Sequence, residues 1–125
     1  VIYGIGTDIV ALDRIDKLYK KYGRAFAERI LSRYELLEFE QAGRQVNFLA
    51  KRFAAKEAFA KAVGTGIRGA VSFRNISVGH TDLGKPDFIY EPALQLWLHE
   101  RNIRYVHLSM SDEDDSVVAF AVAEK

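Results

Sequence analysis

The chain reads as an α+β domain, and three features of the sequence predict it. Short runs of apolar residues mark strands toward both ends of the chain. Between them, apolar residues recur at helical spacing. The predicted elements follow the order β-α-α-α-β-β-α-β-β, which lacks the strict alternation of a doubly wound sheet. At 125 residues the chain has the size of one domain, residues 1–125, with a single core.

Ile2 to Val10 reads as a buried strand, interrupted by Gly4 and Gly6. The two glycines mark either close backbone approach or mere twist. Leu12 to Lys21 reads as an amphipathic helix, with Leu12, Ile15, Leu18 and Tyr19 on one face and bases on the other. After Gly23, the run Phe26, Ile30, Leu31 leads into Ser32 with no element assigned to it. Ser32-Arg33-Tyr34-Glu35 fits a capping box, so a second helix starts there, runs to about Gln41 and breaks at Gly43. Asn47 is placed to cap a third helix, from about Phe48 to Val63, with Leu49, Phe53, Ala60 and Val63 as its apolar face. That helix spans roughly 24 Å, enough to cross a small domain. Val71 to Gly79 reads as a strand and Asp82-Leu83-Gly84-Lys85-Pro86 as a turn, with Asp87 to Tyr90 pairing back in a hairpin. Pro92 suits the first turn of a helix. Ala93, Leu94, Trp97 and Leu98 form its apolar face, and Asn102 ends it. Tyr105 to Met110 and Val117 to Ala123 are the closing strands, joined by an acidic loop.

Composition narrows the function classes. Hydrophobic residues make up 49% of the chain and are spread throughout, as in a folded chain and not a disordered one. No run approaches the roughly 18 apolar residues of a membrane span, and the first thirty residues hold no apolar signal core. There is no cysteine, which excludes a disulfide framework, a thiolate nucleophile and a cysteine-based zinc site. A cytoplasmic protein is the simplest expectation. The start at Val1 fits a processed end, a trimmed tag or a non-AUG start codon. Net charge is only +1, but it is unevenly spread: Ala11 to Arg33 carries seven bases and three acids, and Gly43 to Arg74 carries seven bases against Glu57 alone. An anionic partner fits that distribution.

The stretch Lys51 to Arg68 concentrates the chemistry. It holds Lys51, Arg52, Lys56, Lys61 and Arg68 with one acid, Glu57. Cations facing a multiply charged phosphate ligand, with the acid on a bridging metal ion, would explain that pattern. Glu57 and Lys61 lie four apart and share a helix face. On the pair alone, a surface ion pair is the simpler reading. Gly64-Thr65-Gly66 is either an ordinary glycine C-cap or a backbone concavity whose N–H groups meet a phosphate. Asp8 ends an apolar strand, where an acid has no packing value; it either caps the next helix or serves a site. If Asp8 and Glu57 converge, they offer the hard oxygen ligands of a Mg²⁺–phosphate site. By strand alternation His107, Ser109 and Ser111 share one face, which either meets solvent or lines a site. His80 and His99 read as surface residues.

Five blocks together carry a resemblance. They are Gly4-Ile5-Gly6-Thr7-Asp8-Ile9-Val10, Phe48 to Ala58, Lys61-Ala62-Val63-Gly64-Thr65-Gly66-Ile67, Leu83-Gly84-Lys85-Pro86, and His107-Leu108-Ser109-Met110-Ser111-Asp112. In order and spacing the chain resembles the holo-[acyl-carrier-protein] synthase family of small 4′-phosphopantetheinyl transferases. The resemblance implies that family's fold, an antiparallel sheet packed with a long central helix. It implies transfer of 4′-phosphopantetheine from coenzyme A to a serine of apo acyl carrier protein, with release of adenosine 3′,5′-bisphosphate, in support of fatty acid biosynthesis. It carries Asp8 and Glu57 over as Mg²⁺ ligands and Lys61 to the coenzyme A phosphates, all three as catalytic residues. Arg52, Gly64, Thr65, Gly66 and His107 become neighbours of the nucleotide. It also implies a homotrimer with sites between subunits. Asp112 departs from the family, where many relatives have His, and the acidic run Asp112 to Asp115 looks particular to this sequence.

The basic first helix reads in isolation as a solvated face. Beside an acidic carrier protein, Arg14, Lys17, Lys21 and Arg24 become candidate docking residues. Two rivals remain. A basic nucleic-acid-binding domain uses the same cations and gives no reason for Asp8 and Glu57. A carrier-binding module without activity keeps the basic helix and has no need of Asp8, Glu57 and Lys61.

Overall fold

Period-two alternation decides how the main sheet packs. In β1 (Ile2–Ala11) the residues Gly4, Gly6, Asp8 and Val10 face inward, and Tyr3, Ile5, Thr7 and Ile9 face out. The computed structural model describes residues 1–125. After β1 come four helices: α1 (Leu12–Tyr22), α2 (Arg24–Ile30), α3 (Arg33–Gln41) and α4 (Gln45–Ala62). A short 3₁₀ turn, Phe73–Asn75, leads into β2 (Ile76–His80) and β3 (Pro86–Tyr90). The chain closes with α5 (Pro92–Glu100), β4 (Tyr105–Asp112) and β5 (Ser116–Glu124). The sheet order is β1-β5-β4, antiparallel throughout, and β2 and β3 form a separate antiparallel pair. This is the α+β architecture expected, with a long helix laid across an antiparallel sheet. No helix is long and apolar enough to cross a membrane.

Small residues set the distance between α4 and the sheet. Ala50, Ala54, Ala58 and Ala62 recur every fourth position along α4, and Ala119, Ala121 and Ala123 face inward from β5; all are buried. At Gly6 a Cβ would stand 2.6 Å from the Ala62 amide nitrogen and 2.8 Å from Lys61 Cβ, and at Gly4 it would run into the Ala62 carbonyl. Close backbone approach is therefore what these glycines provide. It seats β1 directly against the C-terminal half of α4.

Four local expectations are corrected. Arg24–Ile30 is a helix, placed after Gly23 at φ 60°, and it buries Phe26, Ala27 and Ile30. At seven residues it is too short for its period to stand out. Asn47 does not cap α4: the helix begins at Gln45, after Arg44, with no side-chain cap. Ser72, not a strand residue, caps the 3₁₀ turn at Phe73–Asn75, so β2 starts only at Ile76. Finally, α4 is buried almost all round, including Arg52 and Lys56, and has no single apolar face.

The Ser32–Glu35 capping box is present in full. Glu35 does more than cap. It also accepts from the Val78 amide at 2.8 Å, from Lys56 Nζ, and lies 3.1 Å from Arg52 Nε. Lys56 Nζ in turn donates to the carbonyls of Ile30 (2.8 Å) and Phe73 (2.9 Å). Burial pulls the Lys56 amine down to about 8, against the attraction of Glu35. One buried hub thus ties α2, α3, the 3₁₀ turn and β2 to the helix that carries Glu57.

Candidate active site

The seam between β1 and α4 brings three of the expected residues together. The inward phase of β1, set by Gly4 and Gly6, delivers Asp8 to α4. Lys61 Nζ donates to the Thr7 carbonyl at 2.9 Å and lies 3.3 Å from Asp8 Oδ1. Glu57 sits one helical turn before Lys61 on the same face. Burial raises the Glu57 carboxyl above the usual range, and the negative charge of Asp8 raises it further; Lys61 and Arg14 pull it back. Asp8 Oδ2 is buried with no hydrogen-bond partner. Two repelling carboxylates, one with an orphaned oxygen, fit a hard divalent cation that completes its shell with water and phosphate oxygens. No group of three or more His, Cys, Asp or Glu side chains occurs here or elsewhere in the chain to hold a metal unaided.

The five cations of 51–68 do not act together. Lys56 is fully buried in the Glu35 hub and faces no ligand. Arg52, 4% exposed, stacks over the Phe48 ring at 4.2 Å and pairs with Glu35 and Glu38. Its Nε lies near Glu35 but makes no aligned hydrogen bond. Lys51 reaches Asp112 on β4 at 3.6 Å, whereas Lys61 reaches Asp8 on β1. Because β1 and β4 are opposite edges of the sheet, Arg52 and Lys61 line different clefts. Arg52 and Lys51 belong to a cleft of about 460 Å³ with Arg44, Asn47, His80 and Pro86.

Lys61 belongs to a cleft of about 630 Å³ with Gly64, Thr65, Arg68, Tyr3, Trp97 and Arg101. The last three were not singled out as site residues by the sequence. Trp97 on α5 and Arg101, just past its end, are spaced i, i+4, and the guanidinium lies 3.9 Å from the indole ring, a pairing that spacing could have suggested. The Gly64-Thr65-Gly66 turn lines this cleft only through Gly64 and Thr65. The amides of Gly64, Thr65 and Gly66 all donate to the Ala60 carbonyl at 3.1–3.2 Å. They cap α4 and are not available as an anion-binding concavity. Gly64 (φ 88°) and Gly66 (φ 67°) provide the left-handed turn that this cap requires.

His107 stands apart from Asp8. It projects from β4 on the outer face of the sheet with Ser109 and Ser111, and all three are exposed, while Asp8 points inward. Its Nε2 lies 2.8 Å from Glu124 Oε1. That outer face also exposes Ile5, Ile9 and Phe120. Lys17 on α1 pairs with Asp13, and Arg24 at the start of α2 pairs with Glu40. Arg14 lies over the Phe53 ring, near Glu57, and Lys21 over the Tyr22 ring, neither with an ion pair in the chain.

Comparison with known proteins agrees with this architecture. Residues 4–121 match the model of the 4′-phosphopantetheinyl transferase superfamily. A holo-[acyl-carrier-protein] synthase of Neisseria meningitidis serogroup A is 74% identical over all 125 residues of both chains, and one of Nitrosospira multiformis is 50% identical over the same span. The crystal structure of the Neisseria meningitidis synthase superposes with a TM-score of 0.98 at 72% identity, covering 100% of each chain. The Bacillus anthracis synthase, solved in complex with CoA (3′,5′-ADP), superposes at 0.82 with 42% identity, covering 99% of this chain and 97% of that one. Nothing among these relatives supports a nucleic-acid-binding domain, and the burial of Arg52 and Lys56 removes two of the cations on which that alternative drew. The chain belongs to the holo-[acyl-carrier-protein] synthases of the 4′-phosphopantetheinyl transferase superfamily.

Proposed function

We propose that this chain transfers the 4′-phosphopantetheine group from coenzyme A to a serine hydroxyl of apo acyl carrier protein. The products are holo acyl carrier protein and adenosine 3′,5′-bisphosphate, and the step supports fatty acid biosynthesis. The observation that carries the reading is the convergence of Asp8, Glu57 and Lys61 at the β1–α4 seam, with one carboxylate oxygen left unpartnered.

The serine oxygen forms a bond to the phosphorus that bears pantetheine, and the bond from that phosphorus to the bridging oxygen breaks. The serine proton leaves, and the new charge settles on the departing bisphosphate. Asp8 and Glu57 are the residues that would hold Mg²⁺. When bound there, the ion supplies neutralisation of the diphosphate charge. The Lys61 amine, fixed by Thr7 and Asp8, neutralises charge growing on the leaving phosphate. Glu57 is the chain's own carboxylate placed beside the reacting groups to take up the serine proton. Arg14, beside Glu57, orients the acidic carrier, with Lys17 and Lys21 on α1 and Arg24 at the start of α2 strengthening its approach. Arg68, Trp97 and Arg101 extend the Lys61 cleft beyond the reacting phosphate.

The same reading includes a homotrimer with sites between subunits. Two features support it: the outer sheet face exposes Ile5, Ile9 and Phe120, and Arg52 and His107 do not meet Asp8 within one chain. Arg52 and His107 of one subunit would then meet the nucleotide held by Asp8, Glu57 and Lys61 of the next, with Gly64 and Thr65 shaping its border. A cytoplasmic location goes with these substrates. To test the reading, apo acyl carrier protein is incubated with the protein, coenzyme A and Mg²⁺ and then weighed by mass spectrometry. The phosphopantetheine increment should appear on the carrier serine. An unchanged carrier mass at saturating substrates would overturn the assignment.

A further inference from the structure

His107 is held by its neighbours in a way that the reaction as described does not explain. Its Nε2 lies 2.8 Å from Glu124 Oε1, and the Tyr105 ring meets the imidazole edge-on at 4.5 Å between centroids. Tyr105 is itself fixed, because its hydroxyl donates to Asp87 Oδ1 at 2.7 Å. The register explains the arrangement. Tyr105 pairs with Glu124 and His107 with Val122, so Glu124 is the diagonal neighbour of His107 on the outer face of the sheet. The hydrogen bond from His107 keeps the Glu124 carboxyl below the usual range. An ionised carboxylate only accepts, so Nε2 carries the proton, and Nδ1 is left without a partner in the chain.

We propose that Glu124 is a positioning residue for His107: it fixes the ring and keeps a proton on Nε2, so that Nδ1 is turned toward the nucleotide of coenzyme A. The carboxylate acts through His107 and does not itself touch the ligand. The proposal rests on the reading above that His107 neighbours the nucleotide.

A double-mutant cycle on the full enzyme separates the two ideas. Glu124→Ala should raise KM for coenzyme A roughly three- to fivefold, the span that an exposed charged contact supplies, with kcat within about twofold. Glu124→Gln keeps an acceptor without the charge and should fall between. His107→Ala should raise KM by more than either, and adding Glu124→Ala to it should change KM no further. In parallel, ¹³C NMR of Glu124 should show its carboxyl titrating higher in His107→Ala than in the native protein. A KM loss from Glu124→Ala that persists undiminished in the His107→Ala background overturns the positioning role. So does a native KM in Glu124→Ala when His107→Ala is impaired. A native KM in His107→Ala removes instead the reading of His107 on which the proposal stands, and the proposal falls with it.

Discussion

Replacing Gly6 with alanine tests whether backbone contact between β1 and α4 builds the site. The added Cβ would lie 2.6 Å from the Ala62 amide nitrogen and nearer still to the Ala58 carbonyl oxygen, while real Cβ contacts essentially begin at 3.0 Å. Both obstacles are helix backbone, which cannot turn aside as a side chain can. The strand must therefore retreat by about 1 Å at Gly6, two residues before Asp8. Lys61 Nζ already stands 3.3 Å from Asp8 Oδ1, so such a retreat opens that contact and separates the two carboxylates. A displacement of about 1 Å at reacting groups costs on the order of a hundredfold in rate. Overpacking of this kind costs about 1–3 kcal/mol of stability, or several degrees in melting temperature. Thermal unfolding by circular dichroism and initial rates of carrier modification read the two effects. A Gly6→Ala protein with native melting and native turnover would show that close approach is not what positions Asp8.

Other perturbations follow from the same contacts. Glu35→Ala leaves Lys56 buried without its carboxylate, so denaturant unfolding should show a loss of about 3–5 kcal/mol; a loss below 1 kcal/mol would show that the hub is not a structural centre. Arg14→Glu should weaken the use of carrier protein while coenzyme A binding, measured by calorimetry, stays near native; an equal fall in both would end the docking role. The hydrogen bond to Asp87 raises the Tyr105 phenol above its ordinary value. Its contribution to stability is therefore complete below the unfolded value of about 10 and is lost as pH climbs from there through the folded value. In Asp87→Ala, ultraviolet titration should show Tyr105 ionising at lower pH, and the alkaline loss of stability attached to it should shrink. An unmoved titration contradicts that hydrogen bond.

The sequence made part of this arrangement legible. Asp8 stood out as an acid in an apolar strand, where packing gives it no reason, and the structure shows it on the inward phase with Gly4, Gly6 and Val10. Helical spacing put Glu57 and Lys61 on one face, and only the family resemblance gave that face a role beyond a surface ion pair. The turn after α4 was open to two readings, and its amides settled on the ordinary cap at Ala60. The inward turn of Lys56 was hidden, because its partner Glu35 lies 21 residues away and on another helix. Local spacing exposed only the capping half of that carboxylate. Helix α2 escaped because seven residues after a glycine show barely two turns of periodicity. Trp97 was legible as an apolar residue of α5 but not as a cleft wall, since that depends on where α5 packs beside Tyr3 and Lys61. The separation of Arg52 from Lys61 follows from the order of strands in the sheet, which no single segment encodes.

Asp8 and Glu57, from separate elements, form one charged centre with Lys61. Its most direct test is the Mg²⁺ dependence of carrier modification in Asp8→Ala and Glu57→Ala, each checked for native melting. Both variants should lose nearly all transfer, with no recovery as Mg²⁺ is raised. Retained Mg²⁺-dependent turnover in either one would contradict a shared site.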